Sequence, residues 1–120
     1  MAAKDELGRA GEQRAAEYLT SRGYTILDRN WRCAQGEIDI VAQRDGWISV
    51  VEVKTRRSPA FGHPLEAIDA RKRRRLWQLA HAWRSDHAEL ARGRMLRVEA
   101  IGITGPDTAH GDIEHLEDIA

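Results

Sequence analysis

Cysteine is nearly absent from this chain: Cys33 is the only one in 120 residues. A lone cysteine excludes an intrachain disulfide framework and a cysteine-based zinc site. Long apolar runs are missing as well, and none approaches the roughly 18 residues of a membrane span. The N-terminal stretch MAAKDELGRAGEQ is charged within its first four residues and does not read as a signal peptide. Histidines 63, 81, 87, 110 and 115 show no zinc spacing. No Ser-His-Asp arrangement, phosphate-cradling glycine loop, internal repeat or low-complexity tract is evident. What these absences leave is a cytoplasmic protein with no membrane partner, forming one domain over 1–120. The 42% hydrophobic and 32% charged content suits a soluble globule rather than a disordered chain.

The formal net charge is zero, but the charge is not spread evenly. Residues 54–97 carry 12 Lys/Arg against 4 Asp/Glu, whereas residues 98–120 carry 6 acids and no base. A basic middle is what a polyanion-binding face needs, and overall neutrality does not exclude one. A solvated helix face is the plain alternative.

Apolar and small residues at Leu7, Ala10, Gly11, Ala15, Tyr18 and Leu19 predict a helix over 5–22, with Gly23 placed for a left-handed cap. A strand follows from Tyr24 to Cys33, then a turn at 34–36 and a second strand over 37–44. Asp45-Gly46 is a hairpin signal, and Trp47 to Thr55 is rich in β-branched residues. Residues 56–64 hold two prolines and a glycine and read as a loop. A helical stretch over 65–91, with a break near Ala70 allowed for, precedes strands over 95–104 and 113–119. The order is αβββαββ, a mixed central sheet flanked by helices, in the α/β class.

The Asp45-Gly46 turn, taken as a two-residue loop, pairs Arg44 with Trp47. Counting back sets Asp39 opposite Glu52 and Glu37 opposite Lys54. Alternation then puts all four on one face, with Ile38, Ile40, Val51 and Val53 on the other. Two carboxylates directly opposed repel one another. A divalent cation would remove that conflict, with Asp39 and Glu52 as hard oxygen ligands to Mg²⁺ (or Mn²⁺) and waters completing the shell. Lys54 would stand beside the attacking water and stabilise developing charge. A Glu37–Lys54 surface salt bridge is the bland alternative, and it leaves the Asp39–Glu52 pair unexplained.

An acid on one strand followed by Glu52-Val53-Lys54 on the next resembles the signature of the PD-(D/E)XK nuclease superfamily, with Ile38 where the superfamily name has proline. Gly8-Arg9-Ala10-Gly11-Glu12 resembles the first helix of archaeal Holliday junction resolvases. The whole chain is still more similar to the YraN-like family of uncharacterised bacterial proteins. Gly11-Glu12, Asn30-Trp31-Arg32, Gly36-Glu37-Ile38-Asp39, Val51-Glu52-Val53-Lys54-Thr55-Arg56 and Phe61-Gly62 fall in the family's order. The resemblance implies a restriction-endonuclease-like core. It implies metal binding by Asp39 and Glu52, assistance from Lys54, and a further acid in Glu12. The activity implied is hydrolysis of DNA, branched DNA among the substrates, in repair or recombination. A homodimer fits by analogy with the resolvases.

Arg56 and Arg57 leave the strand that carries Glu52 and Lys54, so they are candidates for phosphate contacts. Arg71 to Arg75 form a basic run that a helix spreads around its circumference, from which Lys72 and Arg75, or Arg71 and Arg74, are the candidates for phosphate contacts. Trp77 and Trp83 lie at helical spacing with Leu76, Leu79 and Ala80 and read as core. Trp31 and Trp47, at strand ends, remain open to base stacking. A nucleic-acid-binding module of the same fold that does not cleave is the competing function, and a protein-interaction domain is the third.

Overall fold

The computed structural model describes residues 3–119. Helix α1 (Ala3–Ser21) leads into three antiparallel strands, β1 (Thr25–Cys33), β2 (Gly36–Arg44) and β3 (Trp47–Arg56). Two short 3-10 turns precede α2 (Ala70–Asp86) and the single turn α3 (Ala88–Ala91). Strands β4 (Met95–Thr104) and β5 (Asp112–Leu116) complete a sheet ordered β1-β2-β3-β4-β5. β3 and β4 are parallel, and β4 and β5 antiparallel. The parallel pair follows from the connection: a chain that must return to the same end of the sheet needs a long crossover, here α2. The αβββαββ order and the mixed α/β sheet are therefore as expected.

Each sheet face is covered by one helix. Ala15, Ala16 and Leu19 of α1 pack on Ile40, Ala42, Val51, Ile101 and Ile103. Leu79, Ala80 and Trp83 of α2 pack on Ile38, Val41, Ile48 and Val50 from the other side. Gly23 takes φ 90° and ends α1 as a left-handed cap, with the Tyr24 N–H donating to Leu19 O at 3.0 Å. Asp45 takes φ 55° in the hairpin turn. Among the described residues, no helix is long and apolar enough to cross a membrane.

Three expectations need correction. The helical stretch over 65–91 breaks near Ala70, as allowed for, and also a second time, at His87. Asp69 is extended and caps α2 by accepting from the Lys72 N–H at 2.9 Å, and His87 separates α2 from α3. The last strand ends at Leu116 rather than Ile119. Trp77 is not core: it stays 37% exposed, while Trp83 is fully buried and donates its indole N–H to Asp28 Oδ2 at 3.0 Å. Helical spacing alone could not separate the two, since Trp77 follows Leu76 by one position and so turns away from the buried stripe.

Candidate active site

Regular alternation runs through Ala42, Val41 and Ile40, which face α1, α2 and α1 in turn. Ile38 should then join Ile40. It packs instead with Val41, Ile48 and Val50 under α2. The pleat therefore breaks at Asp39. On the neighbouring strand Asn30, between the Arg29–Ile40 and Trp31–Ile38 pairs, takes φ 53°. Such a residue in the left-handed region is uncommon outside turns and marks a local irregularity of the strand. The β2–β3 register is the expected one from Arg44–Trp47 to Ile40–Val51, and the ladder stops there. Beyond it the Val53 N–H donates to Asp39 Oδ2 at 2.9 Å. A side chain has taken over a bond that a strand carbonyl would otherwise make, and the two strands part around it.

This parting lets groups from both faces of the sheet reach one cleft. The cleft is about 230 Å³ and is lined by Glu12, Asp39, Glu52, Lys54 and Arg56 together with neighbouring backbone. Glu12 arrives from α1. A Cβ added to Gly11 would lie 2.1 Å from Thr55 Oγ1, so only glycine lets α1 sit this close to β3. The Asn30 amide, its nitrogen toward the acids, donates to Glu12 Oε1 at 2.9 Å and to Glu37 Oε1 at 3.3 Å. Lys72 arrives from α2, one turn before Leu76 on the same ridge. Its Nζ lies 3.2 Å from Glu52 Oε2, and Lys54 Nζ lies 3.3 Å from the same oxygen.

The sequence-derived set is thus largely brought together, with one partner exchange. Glu37 does not pair with Lys54; it bonds Arg32 Nε at 2.6 Å, and Lys54 turns to Glu52. The cause is the broken pleat, which shifts Glu37 off the face that simple alternation assigns it. Arg56 lines the cleft, whereas Arg57 and Arg75 are exposed and are not among its lining residues. Lys72, expected as a phosphate contact, lies against Glu52 as a counter-ion in this structure. Two contributors were not singled out from sequence: Asn30, which ties Glu12 to Glu37, and Thr55, which meets Gly11. The left-handed Asn30 leaves a faint trace in the Asn30-Trp31-Arg32 motif, but nothing there states its partner.

The electrostatics of the two strand acids differ. Glu52 is 4% exposed and flanked by two ammoniums. Asp39 has the Val53 N–H, while the charges of Glu52 and Glu12 both act against its ionised form. Burial first, and then Glu52, push its carboxyl well above the usual range, to about 8. Glu12 is raised too, mainly by burial, with Glu37 and Glu52 adding to the effect and the Asn30 bond opposing it. Among the described residues, no three His, Cys, Asp or Glu side chains form a ready metal shell. Hard oxygens from two adjacent carboxylates, one of them with no ion pair among the described residues, do fit Mg²⁺, which is commonly held by one or two carboxylates and keeps several waters.

An α/β sheet of this order, with acids and a lysine gathered where two central strands part, defines a restriction-endonuclease-like core. The comparisons with known proteins place the chain in a family. The chain belongs to the uncharacterised protein family UPF0102, whose description matches residues 11–103. A UPF0102 protein of Arthrobacter sp. (strain FB24) is 49% identical over 119 residues, covering 99% of each chain. A UPF0102 protein of Leifsonia xyli subsp. xyli is 46% identical over the same length, again with 99% of each covered. One from Acidothermus cellulolyticus is 59% identical over 87 residues, which is 72% of this chain and 65% of that protein.

Proposed function

We propose that this protein is a metal-dependent endonuclease that hydrolyses phosphodiester bonds of DNA, branched DNA among its substrates. The observation that carries the reading is Asp39: a half-buried acid that makes no ion pair among the described residues, wedged between Glu52 and Glu12 where β2 and β3 separate. Acids are not gathered in this way for stability, since each raises the cost of ionising the next. Asp39 and Glu52 would hold Mg²⁺ or Mn²⁺, and a bound ion would supply a polarised phosphate and an acidified water. Lys54, fixed against Glu52, orients the attacking water and bears on the negative charge that grows at phosphorus. Arg56, at the cleft wall, receives the adjoining phosphate. Glu12, held by Asn30, adds a third acid on the α1 side.

The second reading is a nucleic-acid-binding module that keeps the fold without cutting. The double pairing of Glu52 with Lys54 and Lys72 favours it, because two ammoniums already neutralise one of the two proposed ligands. The experiment is cleavage of branched, flapped, single- and double-stranded DNA with Mn²⁺, comparing wild type with Asp39→Ala. Cleavage by the wild type that falls by about a hundredfold or more in the variant supports the nuclease. Equal cleavage by both proteins would assign the activity to a contaminant. Salt-sensitive binding with no cleavage on any substrate would favour the binding module.

A further inference from the structure

A second concavity, of about 630 Å³, lies away from the acidic cleft and is lined by Trp47, Arg73, Arg74, Trp77, Met95 and Arg97 among others. Trp77 and Met95 are 37% and 61% exposed, an unusual use of large apolar side chains. Arg97 stacks on Trp47, with its guanidinium carbon 4.0 Å from the ring centroid. Its Nε is, among the described residues, the one buried side-chain nitrogen or oxygen left without a hydrogen-bond partner. Buried donors are nearly always satisfied, so the Arg97 guanidinium beside this groove is short of an acceptor. Three arginines against the single acid Asp118 set the sign of that acceptor as anionic.

We infer that this groove binds an unpaired nucleic-acid strand, its bases against Trp77 and Trp47 and its phosphates on Arg73, Arg74 and Arg97. Aromatic faces within a cationic groove are what strand binding without sequence preference requires. The groove is joined to the cleft by two elements. Helix α2 carries Lys72 at Glu52 and Arg73, Arg74 and Trp77 at the groove. Strand β3 carries Trp47 at one end and Glu52 five residues on, about 17 Å away at strand rise. That is on the order of five nucleotide rises at duplex spacing. The inference rests on the nucleic-acid reading above and names the substrate feature it leaves open: a flap, end or junction arm lies over Trp77 while the adjoining backbone enters the cleft.

The test is fluorescence polarisation of short labelled oligothymidylate, oligouridylate and duplex DNA, in chelator, at low and moderate salt. Wild type should bind the unpaired oligonucleotides more tightly than duplex. Trp77→Ala should weaken that binding by about fivefold to a hundredfold, with Trp77→Phe recovering part of it. Arg74→Glu, on an exposed position, should weaken it and flatten the salt dependence. Tighter binding of thymidylate or of uridylate identifies the sugar, and either supports the groove. Circular dichroism and thermal unfolding confirm that each variant is folded. Equal affinity of wild type and Trp77→Ala overturns the inference. So does a dimer that Trp77→Ala splits without changing oligonucleotide affinity, since the groove is then an interface between copies. Mn²⁺-dependent cleavage without Trp77-dependent binding would sink this inference and leave the nuclease standing. Trp77-dependent binding with no cleavage would do the reverse.

Discussion

Two carboxylates in one sheet, one buried and one half-buried, are treated in opposite ways. Glu99, on β4, is fully buried and surrounded by donors. It accepts from Tyr24 Oη at 2.9 Å, from the Ser49 hydroxyl, and from His115 Nε2 at 2.6 Å. Tyr24 is in turn held above its usual range, by burial and then by Glu99. Asp39, two strands away, has the Val53 N–H and two acids for neighbours. Glu99 is thus more deeply buried and better served; Asp39 is partly open and poorly served. A buried charge whose partners are all present belongs to the structure, because further ligands have nothing to satisfy. An acid whose partners are missing, beside an opening, is arranged for something that arrives. On the proposed reading, depth of burial does not single out Asp39; the shortage of donors does.

That contrast can be broken most directly at Glu99. Glu99→Ala should cost about 3–5 kcal/mol in urea unfolding, because three buried donors lose a common acceptor. Asp39→Ala should cost far less and fall mainly on activity. If the two substitutions proved equally destabilising, Asp39 would be structural and the contrast would fail. The next largest effect is expected at Gly11. Gly11→Ala drives a methyl group into Thr55 and should destabilise by about 1–3 kcal/mol. Combining it with Thr55→Ala should recover most of the loss, a coupling that a double-mutant cycle measures. A cycle with no coupling would mean that α1 does not reach the cleft through this contact, and Glu12 would then lose its place beside Asp39.

The sequence carried the strand pairing because turn chemistry is local. Asp45-Gly46 fixes Arg44 against Trp47, and the register propagates residue by residue to Ile40–Val51. It could not carry the break at Asp39. Alternation assumes a regular pleat, and the break lies opposite the left-handed Asn30 on another strand. So Asp39, Glu52 and Lys54 were placed together correctly while Glu37 received the wrong partner. Helix α2 shows the same division. Its apolar stripe identified Leu76, Leu79 and Trp83 as core. That stripe does not say which loop or strand a basic residue beside it will meet. Lys72 therefore read as a phosphate ligand, although it closes on Glu52 from the opposite layer. The exposed Trp77 was misread for a related reason: aromatic content next to a core stripe resembles core until the angle around the helix is known.

The smallest expected effect tests the electrostatic half of the contrast, and its sign is fixed by linkage. The Asp39 carboxyl, ordinarily near 3.8, is raised to about 8 in the folded protein. Between those values the native state holds a proton that the unfolded chain has lost. The native state is therefore favoured by protonation, fully so below the unfolded value. The advantage drains away as pH rises through about 8, so stability falls with rising pH over that window. Asparagine keeps an oxygen for the Val53 N–H but cannot ionise. Asp39→Asn should thus match wild type near pH 4 and exceed it by about 1–2 kcal/mol above pH 8, a fraction of the full shift because the site is partly open to solvent. Urea unfolding across pH in chelator measures this directly. Mg²⁺ added at the alkaline end should stabilise the wild type and not the variant, narrowing the gap from the other side. Identical pH slopes for the two proteins would mean that Asp39 is satisfied as it stands, like Glu99, and that the cleft has no unmet charge for a metal ion to answer.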